Sequence, residues 1–182
     1  MANTKWLLDP LHSELGFKIK HLMITNVSGA IKNFQVEMET AGEDLTTAQV
    51  KLTADMSSIS TNNEQRDGHL RNGDFFDTEN HPQLIFTSTK VEDAGSDSFT
   101  LVGDLSLKGI TKPVKLNVEY SGVTKDPWGT ERAGFTVTGK IKRSEWGINF
   151  NSVLETGGVA LSDEVKINAE IQLVKQAVAV PA

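Results

Sequence analysis

Residues 57–86 read SSISTNNEQRDGHLRNGDFFDTENHPQLIF, one charged, capped helical segment inside a chain otherwise written in strands. Thr61 and Glu64 stand at capping-box spacing, and Gly73 stands where a helix would stop. The spacing predicts a short helix over 62–72 carrying Glu64, Arg66, Asp67, His69 and Arg71, anchored by Leu70. The loop that follows, GDFFDTENHP, places Phe75 and Phe76 side by side, and at least one of them is expected to plug a core or the mouth of a cavity.

Outward from this insertion, the ordered segments alternate apolar and polar residues with period two, the mark of antiparallel strands with one wet face. Leu15, Phe17 and Ile19 alternate with Lys18 and Lys20; Phe34, Val36 and Met38 with Gln35 and Glu37. Val50, Leu52, Ala54 and Met56 follow, then Leu84 and Phe86, and then Phe99, Leu101, Gly103, Leu105 and Leu107. The last three sets are Val114 to Tyr120, Phe135 to Ile141, and Val165 to Leu173. These are eight strands with one enclosed face each, which fits a closed barrel or a two-sheet sandwich. The small residues Ala54, Gly103, Gly139 and Ala169 on the enclosed face favour a hollow barrel, although glycines also relieve crowding at bends.

The bulk properties narrow the function. A chain of 182 residues, 38% hydrophobic and 23% charged, is one ordinary globular domain, with the barrel expected over 1–175 and a flexible tail over 176–182. A net charge of -6 argues against a nucleic-acid partner and suits general adhesion to anionic membranes poorly, while leaving room for a local basic patch. The chain has no cysteine, which removes disulfides, zinc–thiolate sites and cysteine nucleophiles. No apolar run approaches the ~20 residues of a membrane-spanning helix. No signal peptide is visible at the start, so the expectation is a cytoplasmic protein, or a periplasmic one if the sequence is a processed mature form.

Several separate motifs carry a resemblance. They are Trp6-x-x-Asp9-x-x-His12-Ser13, Phe17 and His21, Ser58-Ile59-x-Thr61, Arg66-Asp67-x-His69-Leu70 and Asp74-Phe75-Phe76-Asp77. Pro82, Phe86 and Ser88 follow, and then Gly103-x-Leu105-x-Leu107-Lys108-Gly109-Ile110-Thr111-x-Pro113-Val114. In this order they resemble the YceI family of lipocalin-like, polyisoprenoid-binding proteins, over roughly residues 4 to 175. The resemblance implies an all-β fold, an extended eight-stranded antiparallel lipocalin-like barrel with a short helical lid, holding a long apolar chain and often forming a homodimer. The segment Arg143-Ser144-Glu145-Trp146-Gly147 departs by placing Trp where the family often has Phe.

The expected lumen residues are Phe17, Ile19, Phe34, Val36, Leu52, Met56, Phe86, Leu101, Leu105, Val137 and Ile167. Each buried methylene contributes roughly 0.8 kcal/mol, so a long isoprenoid or acyl chain needs no polar contact to bind tightly. Arg66, His69 and Arg71 offer donors to a phosphate, carboxylate or hydroxyl head group; the same residues equally suit a surface helix locked onto the barrel. Asp67 reads as an orienting partner, since it would repel an anionic head group. The four histidines, His12, His21, His69 and His81, are dispersed in sequence, and no metal is expected. His12, Ser13 and Asp9 complete a nominal triad list, but strand neighbours point to opposite faces.

The expectation is therefore a non-enzymatic binder of a polyisoprenoid, or of an isoprenoid quinone or phosphate, for storage, transport or sequestration. The alternatives are a fatty acid or fatty amide carrier, a small hydrolase or isomerase using His12, His69 and a carboxylate, or a packed barrel without a ligand. No cofactor is expected beyond a bound long-chain lipid, and no partner beyond that hydrophobic ligand and a second copy of the chain.

Overall fold

The computed structural model describes residues 3–151 and 160–177. Its strands in chain order are β1 (Asn3–Leu8), β2 (Glu14–His21), β3 (Thr25–Ile31), β4 (Phe34–Ala41), β5 (Asp44–Asp55) and β6 (Ile59–Ser60). After the single α-helix of the described residues, α1 (Glu64–Arg71), come β7 (Gln83–Gly95), β8 (Ser98–Leu107), β9 (Ile110–Lys125), β10 (Glu131–Lys142) and β11 (Leu161–Lys175). All pairings are antiparallel; β1 pairs with β4, β3 with β6 and β5 with β7, the others join consecutive strands, and β11 closes the ring by pairing with β1 (Leu8↔Leu173) and β2 (Phe17↔Ile167). The result is an eight-stranded up-and-down barrel. Three of its eight staves are each broken into two pieces: β1 with β2, β3 with β4, and β5 with β6.

The breaks lie side by side and are built from short polar caps. Pro10, which has no amide hydrogen, opens a one-turn 3-10 helix, and the Asp9 carboxylate accepts from the Leu11 amide at 3.0 Å. The broken stave stays tied to β11, because the amides of Asp9 and Gln172 donate to Gln172 O and Ser13 Oγ, both at 2.9 Å. At the second break the Asn33 amide donates to Ser58 Oγ and the Asp55 amide to Asn33 O. Each break inserts enough residues to reverse the alternation, as a bulge does, so Val27 and Ile31 point inward before the break and Val36 and Met38 after it. The sequence pattern missed β3 and β6 because TNVSGAI and IS carry too few apolar residues to show a period, and β1 because NTKWLL ends in a run of three apolar residues without alternation.

One end of the barrel, here the near end, carries the 22–24 hairpin, the 56–82 insertion with α1, the 108–109 turn and the segment after β10. The far end carries only hairpin turns and the chain ends. Its centre holds Trp6 and a stacked Tyr120–Phe135 pair with ring centroids 5.3 Å apart. Gln176, expected in a free tail, donates its amide to Lys5 O at 2.8 Å and extends the ladder. The rest of that tail beyond Ala177 lies outside the described residues.

Candidate functional site

Inside the barrel runs a cavity of about 500 Å³, within the range of small-molecule binding pockets. It extends from Ala48, Ile171 and Leu173 toward the far end up to Phe75, Arg143 and Phe150 at the near end. Ten of the eleven expected lumen residues line it: Phe17, Ile19, Val36, Leu52, Met56, Phe86, Leu101, Leu105, Val137 and Ile167. Phe34 does not. It follows the Lys32–Asn33 break, pairs with Ala54, and packs against the core beside the tube.

The inward glycines do not stand open to the lumen. A Cβ on Gly103 would lie 2.5 Å from the Phe86 ring, and one on Gly139 would lie 2.5 Å from Leu116 Cδ2. Gly29 is covered by Phe17 in the same way. These glycines let large side chains of the adjacent strand lie flat on the wall, which clears space by a route different from simple smallness.

The polar or charged side chains on the lining are His21, Thr61, Arg66, His69 and Arg143, and all five stand at the near end. The rest of the tube is hydrocarbon, apart from the backbone at Gly16. The geometry is that of a long apolar slot with one polar end.

The lid forms that end. Helix α1 is shorter than the expected 62–72, and Asn63, not Thr61, caps it by accepting from the Arg66 amide at 3.0 Å. It ends at Arg71, with Asn72 as its C-cap and Gly73 just beyond. Thr61 has another task. Its amide (2.7 Å) and its hydroxyl both donate to the buried carboxylate of Asp67, and its oxygens accept from Arg66 Nε (2.7 Å) and Nη2 (2.8 Å). Burial pushes the Asp67 carboxyl up, but the Thr61 bonds and the charges of Arg71 and Arg66 outweigh this and hold it below its ordinary value.

Arg66 therefore reaches the mouth with two of its donors already engaged. Arg71 Nε donates to Ser57 O, and neither Arg71 nor Asp67 lines the cavity. His69 does, with Nε2 2.9 Å from Asp74 Oδ2 and its ring edge-on to Phe75 (5.0 Å) and Phe150 (4.8 Å). Phe75 is 6% exposed, and both Phe75 and Phe76 line the lumen, so the expected plug is double.

Arg143 is the residue that sequence reasoning passed over. It is buried, lines the lumen, and donates from Nε to Ser162 O (3.0 Å) and from Nη1 to Ile148 O (2.9 Å) and Phe150 O (2.8 Å). Its Nη2 has no acceptor among the described residues, and no carboxylate there forms an ion pair with it. Burial lowers its pKa and the charge of Asp163 opposes the shift. The signal was present, because Arg143 continues the inward series Val137, Gly139, Ile141.

The nominal triad does not assemble. Ser13 Oγ is engaged with the Gln172 backbone, and His12 Nδ1 lies 2.7 Å from Asp9 Oδ2 on the outside of the barrel. Asp9 also accepts from Arg132 Nη1 at 2.6 Å, which places this motif in a network that ties the broken stave to β10. Among the described residues no three histidine or acidic side chains converge as a metal site would require.

The YceI-like domain family matches residues 6–173. A UPF0312 protein of Staphylococcus epidermidis is 43% identical over 170 residues, covering 93% of this chain and 96% of its own length. A UPF0312 protein of Staphylococcus aureus is 42% identical with the same coverage. Among solved structures, the Campylobacter jejuni YceI protein superposes with a TM-score of 0.76 at 32% identity, over 93% of this chain and 97% of that one. A polyisoprenoid binding domain from Saccharophagus degradans superposes with a TM-score of 0.64 at 17% identity, over 92% and 97%, a likeness of fold. The chain belongs to the YceI-like domain family.

Proposed function

Starting from membership in the YceI-like family, we propose that this protein binds one long-chain lipid, a polyisoprenoid or an isoprenoid quinone or phosphate, for storage, transport or sequestration rather than for catalysis. The observation that carries the reading is the distribution of polarity along the lumen: hydrocarbon for its length, with five polar or charged side chains gathered at one mouth. Such a slot fits a ligand with a long apolar tail and a single polar end. Likeness of fold to a domain described as polyisoprenoid-binding supports the isoprenoid class.

In this reading the polar end lies by Arg143, which lines the cavity and whose Nη2 has no acceptor among the described residues. A planar guanidinium suits phosphate or carboxylate oxygens, and an acceptor on the ligand would complete its set of hydrogen bonds. Arg66 and His69 flank that position, Arg66 chiefly by holding Thr61 and the lid. The test is extraction of lipid from the purified protein and mass spectrometry, followed by titration of the emptied protein with matched ligands of one tail and charged or neutral heads. A stoichiometric isoprenoid is the expected result. A protein that arrives empty and binds no long-chain probe would sink the reading, and a recovered fatty acid or amide would replace the isoprenoid class.

A further inference from the structure

The outer face of the barrel segregates charge along its axis in a way the net charge of -6 hides. Lys18 on β2 is directly opposite Lys166 on β11, and Lys166 is directly opposite Lys140 on β10. All three are exposed, as are Lys20 and Lys142 one step nearer the mouth. Like charges at paired positions destabilise a sheet. Glu164 faces Lys142 in register and lies 3.9 Å from Lys140 Nζ, and Asp163 is bound to Ser144, so these carboxylates neutralise the row only in part. Four residues toward the far end, about 13 Å along the strand, the sign reverses, with Glu14 opposite Glu170 and Glu119 two strands further round. Exchanging Lys166 with Glu170 alone would have set an opposite charge against Lys18, Lys140 and Glu14.

At the same end, on the same stave, the β2–β3 hairpin turns through Leu22, Met23 and Ile24, which are 38%, 58% and 77% exposed. Leu22 and Met23 hold positive φ, and the Leu22 amide donates to Ala160 O at 2.7 Å, so the tip is fixed beside the mouth. The flanking residues His21, Val27 and Ala160 line the cavity. The acidic loop of the lid lies across the mouth, held over the β8–β9 turn by Lys108 Nζ donating to Gly73 O.

We propose that the β10–β11–β2 lysine face and the Leu22–Ile24 tip together form a docking surface for a bilayer bearing anionic phospholipid head groups, with the mouth of the lumen turned toward it. Lysines meet the head groups while an apolar tip enters the boundary with the acyl chains. A nucleic acid would match the lysines but give three exposed apolar side chains no partner.

The test is flotation of the full chain with vesicles of phosphatidylcholine alone or mixed with phosphatidylglycerol, at low and high salt. The wild type is expected to float with the anionic vesicles only, and high salt to weaken it. Each lysine near such a surface is worth about fivefold in affinity, so Lys18→Gln with Lys166→Gln should cost about 25-fold. The same double variant should melt no lower than the wild type, because it removes a like-charge contact, and this separates lost docking from lost folding. Met23→Asp with Ile24→Asp should abolish flotation without lowering the melting temperature. Equal flotation with both vesicle types, none with either, unchanged flotation of the folded variants, or binding to duplex DNA in place of vesicles would each overturn the proposal. Flotation reads the outer surface, so its outcome is separate from whether lipid is extracted from the lumen.

Discussion

The two ends of the barrel are closed by different means. At the far end the strands close it themselves, with a stacked Tyr120–Phe135 pair and the buried Trp6. A Lys175–Glu131 ion pair at 2.9 Å lines, with Trp6 and Tyr120, a second, smaller cavity of about 280 Å³. At the near end the strands stop short, and inserted segments do the work: α1, the Phe75 loop and the turn after β10. A far-end plug made of strand residues cannot open without breaking the ladder. A near-end lid can move while every stave stays paired, because its anchors are side-chain bonds such as those of Thr61, Asp67 and Arg143. Under the proposed function, the ligand would pass through the near end, and the far end would stay closed.

The contrast is broken most severely through Trp146. It is 1% exposed and donates Nε1 to Leu105 O at 3.0 Å, wedging the segment after β10 against β8. Trp146→Ala should cost about 3–5 kcal/mol, the range for a buried aromatic truncated to alanine, read by chemical denaturation. Asp67→Asn comes next. It leaves the Thr61 amide and hydroxyl facing a neutral amide and should cost about 1.5–3 kcal/mol, with faster hydrogen exchange in α1 but not in β8 to β11.

The same carboxylate gives the lid a pH dependence. Its pKa is lowered in the folded state, so its stabilisation is full above the unfolded value and lost as pH falls through the folded one. Wild type should lose lid protection below about pH 4, where Asp67→Asn shows a flat profile.

Arg66→Ala removes two bonds to Thr61 and should cost about 1 kcal/mol, weakening matched charged-head and neutral-head ligands alike. Arg143→Lys should weaken the charged-head ligand more than the neutral one. If Arg66 instead discriminates between heads and Arg143 does not, the two arginines have the opposite roles to those assigned here. The smallest effect belongs to the far end, where Glu131→Gln should leave probe binding unchanged and shift the melting temperature less than any lid variant.

The eight staves were legible in the sequence because a strand with one buried face must alternate, and ten of eleven lumen positions follow from that period alone. Their breaks were not legible. A bulge reverses the phase through hydrogen bonds to another chain segment, as Asn33 does with Ser58 and Asp55, and those partners lie 25 and 22 positions along the sequence (58 − 33 and 55 − 33). Phe34 keeps the phase of Val36 and Met38 but, as the first residue of β4 after the break, packs on the core beside the tube, a placement the period does not give.

Local chemistry in the sequence determined that a helix would form near residue 64, since caps and turns act over three or four residues. What Arg66, Asp67 and Thr61 do for one another, that Arg143 is buried on the lumen wall, and that three lysines form one row were decided by tertiary structure. Those facts depend on which strands are neighbours and in what register. Alternation sets which face a residue takes, but the closure of the ring sets what stands beside it.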